Sequence, residues 1–275
     1  MEMIKLENLG VRRGNRQVLD AISFSAGAGE LIGVIGPNGA GKSTLMQAVI
    51  GLVRSTGTIE IAGNASGSMK AKDLAKLVAY LPQEREVAWG LTVEKLVALG
   101  RIPSLSGFSQ VSQKDLEIVE TAINQMEVGH LKNACITKVS GGERARVLMA
   151  RALAQDTPIL IADEPAAGLD PEHQIHLMAI LSRIANQGKT VLVSLHDLNL
   201  AARWCSRLLV LESGKMRADG NPDVVLDSAL VEDVFKVRSV AVEVEGQRAF
   251  LPVSRVDQGQ GGASAANSIR AQENA

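Results

Sequence analysis

The stretch from Leu31 to Thr44 leaves a chain few ways to fold. Leu31-Ile32-Gly33-Val34-Ile35 is a continuous apolar run of strand length, and Gly36-Pro37-Asn38-Gly39-Ala40-Gly41-Lys42-Ser43-Thr44 follows it without a spacer. The second segment fits G-x-x-x-x-G-K-[ST] in full and leads into a helix-like run from Thr44 to Ile50. An apolar run of this kind suits a parallel sheet covered on both faces. The glycines let successive backbone N–H groups close around phosphate oxygens, and the helix start adds partial positive charge at the same point. Lys42 is then set to reach the β and γ phosphates, and Ser43 to offer a hydroxyl to Mg²⁺.

Other segments extend this chemistry. Ile159-Leu160-Ile161-Ala162 reads as a second buried strand, ending at Asp163 and Glu164. Open parallel sheets place ligands at strand ends. Asp163 there can hold Mg²⁺ through a water, and Glu164 can orient or deprotonate the attacking water. Val139-Ser140-Gly141-Gly142-Glu143 opens a helix carrying Val147, Ala150 and Ala154. Two compatible readings stand: Ser140 caps the helix with Glu143 at N3, or the Ser-Gly-Gly turn is a second anion site. His196 follows the apolar run Val191 to Leu195 and is read as a γ-phosphate contact. Gln83, after Tyr80-Leu81-Pro82, is either a surface amide or a neutral partner for Mg²⁺ or the attacking water.

Elsewhere the patterns are coarser. Leu208 to Leu211 reads as a further strand, and Leu177, Ile180, Leu181 and Ile184 share one helix face, with Gly188 as a stop. The first 30 residues and Thr58-Ile59-Glu60-Ile61 suggest short antiparallel strands at one edge. From about 86 to 156 the period is helical: Leu116, Val119, Ile123 and Met126 recur at helix spacing, and Ile102 to Gly107 reads as a loop. The stretch from Asp257 to Ala275 has almost no large apolar side chains and is expected to be disordered.

Composition excludes more than it selects. The net charge is -1, from 29 Lys plus Arg against 30 Asp plus Glu, so no global basic field draws the chain to nucleic acid. The two cysteines, Cys135 and Cys205, fit no metal-ligand spacing and are expected to be buried free thiols in a reducing cytoplasm. The N-terminus does not read as a secretory signal, and no stretch approaches the ~18 apolar residues that a membrane span needs. At a membrane, such a chain would have to be held by another.

Taken in order, these segments resemble the ATP-binding subunit of an ABC transporter over roughly residues 3 to 236. Gly36 to Thr44 resembles the Walker A loop, and Val139 to Glu143 the ABC signature, with Val139 where Leu is usual. Ile159 to Glu164 resembles Walker B with its catalytic glutamate, Gln83 the Q-loop and His196 the switch histidine. Ala167-Gly168-Leu169-Asp170 resembles the D-loop, keeping Asp170 but with Ala-Gly where Ser-Ala or Thr-Ala is frequent. An aromatic residue commonly stacks on adenine near the position of Arg13; here a guanidinium plane is left either to stack on the purine or to be solvated.

The resemblance implies an α/β fold: a P-loop NTPase (RecA-like) ABC ATPase core with an N-terminal antiparallel β subdomain and an inserted helical subdomain. It places the ATPase domain at residues 1–255, the insertion at about 86–156 and a disordered tail at 256–275. It implies ATP and Mg²⁺, with Ser43, Gln83 and Asp163 around the metal and Glu164, His196 and Gln83 in catalysis. It also implies a head-to-tail dimer in which Ser140, Gly141, Gly142 and Glu143 complete the partner's site. Further partners are an integral-membrane permease, docked on the helical insertion including Glu84 to Gly90, and indirectly a periplasmic or extracellular substrate-binding protein. The chain would then sit on the cytoplasmic face of the cell membrane. A finer resemblance lies in Ala79 to Gln83, Leu91 to Val93, Val97 to Pro103 and His196 to Arg203, which look like ATPases importing iron–siderophore complexes, haem or cobalamin, with zinc and manganese importers as close neighbours. A soluble ABC ATPase, as in iron–sulfur cluster assembly, is the alternative. No Asn-Lys-x-Asp guanine-reading segment favours a GTPase.

Overall fold

The computed structural model describes residues 2–84, 86–87, 89–105, 111–244 and 247–256. The expected disordered tail from Asp257 and the loop residues Ser106 and Gly107 lie outside them.

Two long strands open the chain. β1 (Glu2–Arg13) and β2 (Arg16–Gly27) pair antiparallel, and β4 (Thr56–Ile61) and β5 (Asn64–Ala65) extend the sheet in the order β2-β1-β4-β5. Short strands were expected here, yet β1 and β2 run 12 residues each. Register shifts along the β1–β2 pair, with Asn8 and Ala21 at positive φ, mark bulges that bend the ribbon. Between β2 and β4 lie β3 (Leu31–Ile35) and α1 (Lys42–Val49).

The central sheet carries the chemistry. After α2 (Ala71–Leu77) comes β6 (Val78–Leu81), and β7 (Ile159–Ala162), β8 (Thr190–Ser194), β9 (Arg207–Glu212) and β10 (Lys215–Gly220) complete the order β10-β9-β3-β8-β7-β6. All neighbours pair parallel except β10 on β9. Alternate residues split between two cores, which is why these strands read as unbroken apolar runs. Ile32, Val34, Ile161 and Leu192 pack with Leu45, Met46 and Val49 of α1 and Ile4 and Leu6 of β1. Leu31, Ile35, Leu160 and Val193 face the other way, onto Leu177, Leu181 and Ile184. Because the strands are parallel, the ends of β3, β6, β7 and β8 meet along one edge.

The insertion between β6 and β7 is helical, as its period requires: α3 (Val93–Ala98), α4 (Gln113–Gln125) and α5 (Gly141–Ala154). The expected loop at Ile102 is instead part of a 3₁₀ turn, Leu99–Ser104, with Pro103 inside it. Val119, Ile123 and Met126 are buried, but Leu116 is 51 % exposed. The first turn of α4 buries Asp115 in its place. Arg101 Nε donates to Asp115 Oδ1 (2.9 Å), and Nη1 donates to the carbonyls of Ala154 (2.9 Å) and Gln155 (3.1 Å) at the end of α5. Hydrogen bonds from Ser112, then from Arg101, hold the Asp115 carboxyl down at about 2. Arg101 thus ties three segments of the insertion together, which a helical pattern does not reveal.

α6 (Pro171–Asn186) and α7 (Leu198–Trp204) flank β8, and α8 (Pro222–Val225) and α9 (Ser228–Phe235) follow β10. A hairpin, β11 (Val237–Val244) with β12 (Gln247–Arg255), folds back so that Phe250 is buried. The Asn199 side chain accepts from Phe250 N (2.7 Å) and donates to its carbonyl (3.3 Å), fastening the hairpin to α7. Cys205 is buried and its thiol is pushed up to about 12 by that burial, whereas Cys135 is only partly buried, contrary to expectation. Among the described residues no helix is long and apolar enough to cross a membrane.

Candidate active site

Gly36 shows why the loop after β3 is glycine-rich. It sits at φ +149, where a Cβ would stand 2.1 Å from the carbonyl oxygen of Leu211 on β9. Gly41, at φ +106, turns the chain into α1. The loop so formed lines a cavity of about 510 Å³ with Arg13, Arg16, Val18, Gln83 and Glu164, and Asn38 to Thr44 make its floor. Lys42 is 5 % exposed; its Nζ donates to the carbonyls of Gly36 (2.8 Å) and Pro37 (3.2 Å). Burial lowers its pKa, and the charges of Glu164 and Asp163 pull the other way.

The carboxylates at the end of β7 are held from three directions. Gln83 Nε2, beyond the end of β6, donates to Glu164 Oε2 at 2.9 Å. His196 Nε2, beyond the end of β8, contacts Glu164 Oε1. Asp163 is 1 % exposed, and its backbone N–H donates to the Leu81 carbonyl (2.8 Å). Glu164 itself adopts φ +49, a left-handed backbone uncommon for a non-glycine residue. Three residues chosen from distant segments, Gln83, Glu164 and His196, therefore meet at one carboxylate on the cavity wall.

Other expected site residues lie apart from that cavity. Ser140 and Glu143 form a reciprocal capping box at the start of α5, with Ser140 N donating to Glu143 Oε2 at 2.8 Å. The cap reading is thus realised. Ser140 and Gly141 are exposed, and none of Ser140 to Glu143 lines the phosphate-loop cavity. Asp170 caps α6, accepting from His173 N (2.9 Å), and is likewise outside the cavity. Arg13 does line it, and its Nη2 donates to Gln47 Oε1 on α1 at 2.8 Å.

Sequence reasoning missed Gln47, Arg16 and, above all, Ser194. Ser194 Oγ donates to Asp163 Oδ1 (2.6 Å) and accepts from Glu164 N (2.7 Å). The signal was available: one hydroxyl in an apolar run that should be wholly buried must find partners there.

The family described as ABC transporter matches residues 19–167. The hemin import ATP-binding protein HmuV of Pseudomonas entomophila (strain L48) is 41 % identical over 241 residues, covering 86 % of this chain and 93 % of that protein. The iron(3+)-hydroxamate import ATP-binding protein FhuC of Bacillus subtilis (strain 168) is 36 % identical over 239 residues, 86 % of this chain and 89 % of that one. Among solved structures, the ATP-binding cassette MJ0796, a dimer in a post-hydrolysis state bound to ADP and Pi, superposes with a TM-score of 0.73. It is 26 % identical and covers 80 % of this chain and 99 % of that one. With the phosphate loop, the paired carboxylates and the helical insertion in one fold, this chain belongs to the ABC transporter family, as an ATP-binding subunit.

Proposed function

We propose that this chain binds and hydrolyses ATP to drive the import of an iron complex, a haem or a siderophore, through a partner permease. The observation that carries the enzymatic part is the convergence of Gln83 and His196 on Glu164 beside the phosphate loop. The iron complex is favoured over cobalamin by the names of similar relatives, which are those of hemin and hydroxamate importers.

In this reading Lys42 exchanges the carbonyls of Gly36 and Pro37 for the β and γ phosphates, and the start of α1 faces the same charge. Glu164 accepts the proton of the water attacking the γ phosphorus, and the bond to the ADP oxygen breaks. Gln83 and His196 hold the carboxylate in place for that transfer. Ser43, Gln83 and Asp163 suit Mg²⁺: all three offer oxygen, Ser43 and Gln83 on the cavity wall and Asp163 at the adjoining strand end. Held there, Mg²⁺ would supply positive charge to offset that of the phosphates. Residues 1–255 act as the ATPase domain, with 86–156 inserted.

The signature turn has no role within its own cavity, so a second copy in head-to-tail arrangement would present Ser140, Gly141, Gly142 and Glu143 to it, with Asp170 near the junction. The permease would dock on the insertion after Gln83, where Trp89 is 74 % exposed. The chain would then sit on the cytoplasmic face of the membrane, and a substrate-binding protein would deliver cargo on the other side. At the nucleoside end, Arg13, pinned by Gln47, would stack on adenine. Arg13→Ala should then weaken ATP binding by about threefold to tenfold in an equilibrium titration; unchanged affinity would leave Arg13 a solvated side chain.

A mild-detergent pull-down of the chain from native membranes tests the whole reading. A polytopic permease in the eluate supports import. Soluble partners alone, in a preparation where other membrane complexes survive, would instead point to a non-transport ABC ATPase.

A further inference from the structure

The pairing of β7 with β8 ends at Ala162 and Val193. Past that point the two strands diverge: Asp163 N donates to Leu81 on β6 (2.8 Å), and Leu195 N donates to Val34 on β3 (3.1 Å). The ladder would stop there but for one side chain. Ser194 is 0 % exposed, and its hydroxyl bridges the gap, donating to Asp163 Oδ1 (2.6 Å) and accepting from Glu164 N (2.7 Å). It meets both carboxylate residues, one through the side chain and one through the backbone. The backbone it meets is the one at φ +49.

From this geometry we infer that Ser194 is a positioning residue for hydrolysis, acting through Glu164 and Asp163. A hydroxyl is the right group for the place. It can donate and accept at once, so a single buried atom satisfies an ionised carboxylate and an amide N–H together. An alanine would remove the donor to Asp163 and the acceptor at Glu164 N. Without the second, less opposes relaxation of the Glu164 backbone toward ordinary φ. That relaxation swings the carboxylate away from Gln83 and His196. Ser194 also stands two residues before His196 on the same strand and its extension, so β8 supplies both the hydroxyl behind Glu164 and the imidazole in front of it. The inference rests on the proposed role of Glu164 in hydrolysis.

The test uses the full chain and compares ATP turnover, ATP binding and thermal midpoint for Ser194→Ala, Ser194→Thr, Glu164→Gln and the double variant Ser194→Ala/Glu164→Gln. Ser194→Ala is expected to lower kcat by about 10- to 100-fold, the scale of a misplaced catalytic group. ATP affinity should stay within about twofold, because Lys42 and the phosphate loop are untouched. Ser194→Thr, which keeps the hydroxyl on a β-branched side chain suited to a strand, should recover most of the rate. Because Ser194 acts through Glu164, the double variant should be no slower than Glu164→Gln alone. A Ser194→Ala enzyme within about twofold of the parent kcat would overturn the inference. So would additive losses in the double variant, or a fall in thermal midpoint with kcat unchanged, since these mark a purely structural hydroxyl. If Glu164→Gln turns over normally, the catalytic reading itself fails and this inference falls with it; if Glu164→Gln is inactive and Ser194→Ala is fully active, only the inference fails.

Discussion

Glu164→Gln should bind ATP as tightly as the parent and lose turnover by about 10²- to 10⁴-fold, the range that general-base catalysis contributes. The substitution is nearly isosteric. The amide oxygen still accepts from Gln83, whose Nε2 lies 2.9 Å from Glu164 Oε2, so the wall of the cavity is kept. What disappears is the ability to take a proton from water. ATP would then close two copies around the nucleotide without opening them again. Size-exclusion chromatography with ATP should show a dimer that persists for the variant and decays for the parent. Turnover at the parent rate would remove Glu164 from the catalytic role and shift attention to His196.

Lys42→Ala strikes at binding instead. Lys42 is buried, and burial lowers its pKa, yet its ammonium is met by the carbonyls of Gly36 and Pro37 and by the charges of Asp163 and Glu164. A buried cation whose partners are weak carbonyl oxygens gains strongly when phosphates replace them. Charge-assisted hydrogen bonds are worth about 1.5–3 kcal/mol each, so losing the ammonium should weaken ATP binding by roughly 10- to 100-fold. In a thermal-shift assay at one ATP concentration the parent should gain more stability than Lys42→Ala, by a margin set by the ratio of the two affinities. An equal ATP-induced shift in the two proteins would show that the loop amides suffice without Lys42.

How far each element could be read depended on the range of the forces that set it. The phosphate loop was legible because its requirements are local: glycines where φ is positive, an apolar strand before and a helix after. The parallel strands β3, β7, β8 and β9 were legible for a similar reason, since burial on both faces leaves an unbroken apolar run. The insertion announced its helices by period, but not which way α4 turns. Leu116 keeps the spacing of Val119 and Ile123, yet it is exposed, and its neighbour Asp115 is the residue drawn inward, to Arg101. The lengths of β1 and β2 were missed because bulges at Asn8 and Ala21 break the alternation that marks a strand.

By itself the sequence determined the family, the phosphate loop, the carboxylates after β7 and the helical character of the insertion, because each depends on residues close together along the chain. Only the tertiary structure decided that Gln83 and His196 converge on Glu164 and that Arg13 is pinned by Gln47. It alone also made Ser194 a partner of both carboxylate residues. Those relations are set by which strands lie side by side. Strand order β3-β8-β7-β6 is a property of long-range packing, and no spacing within any one segment encodes it.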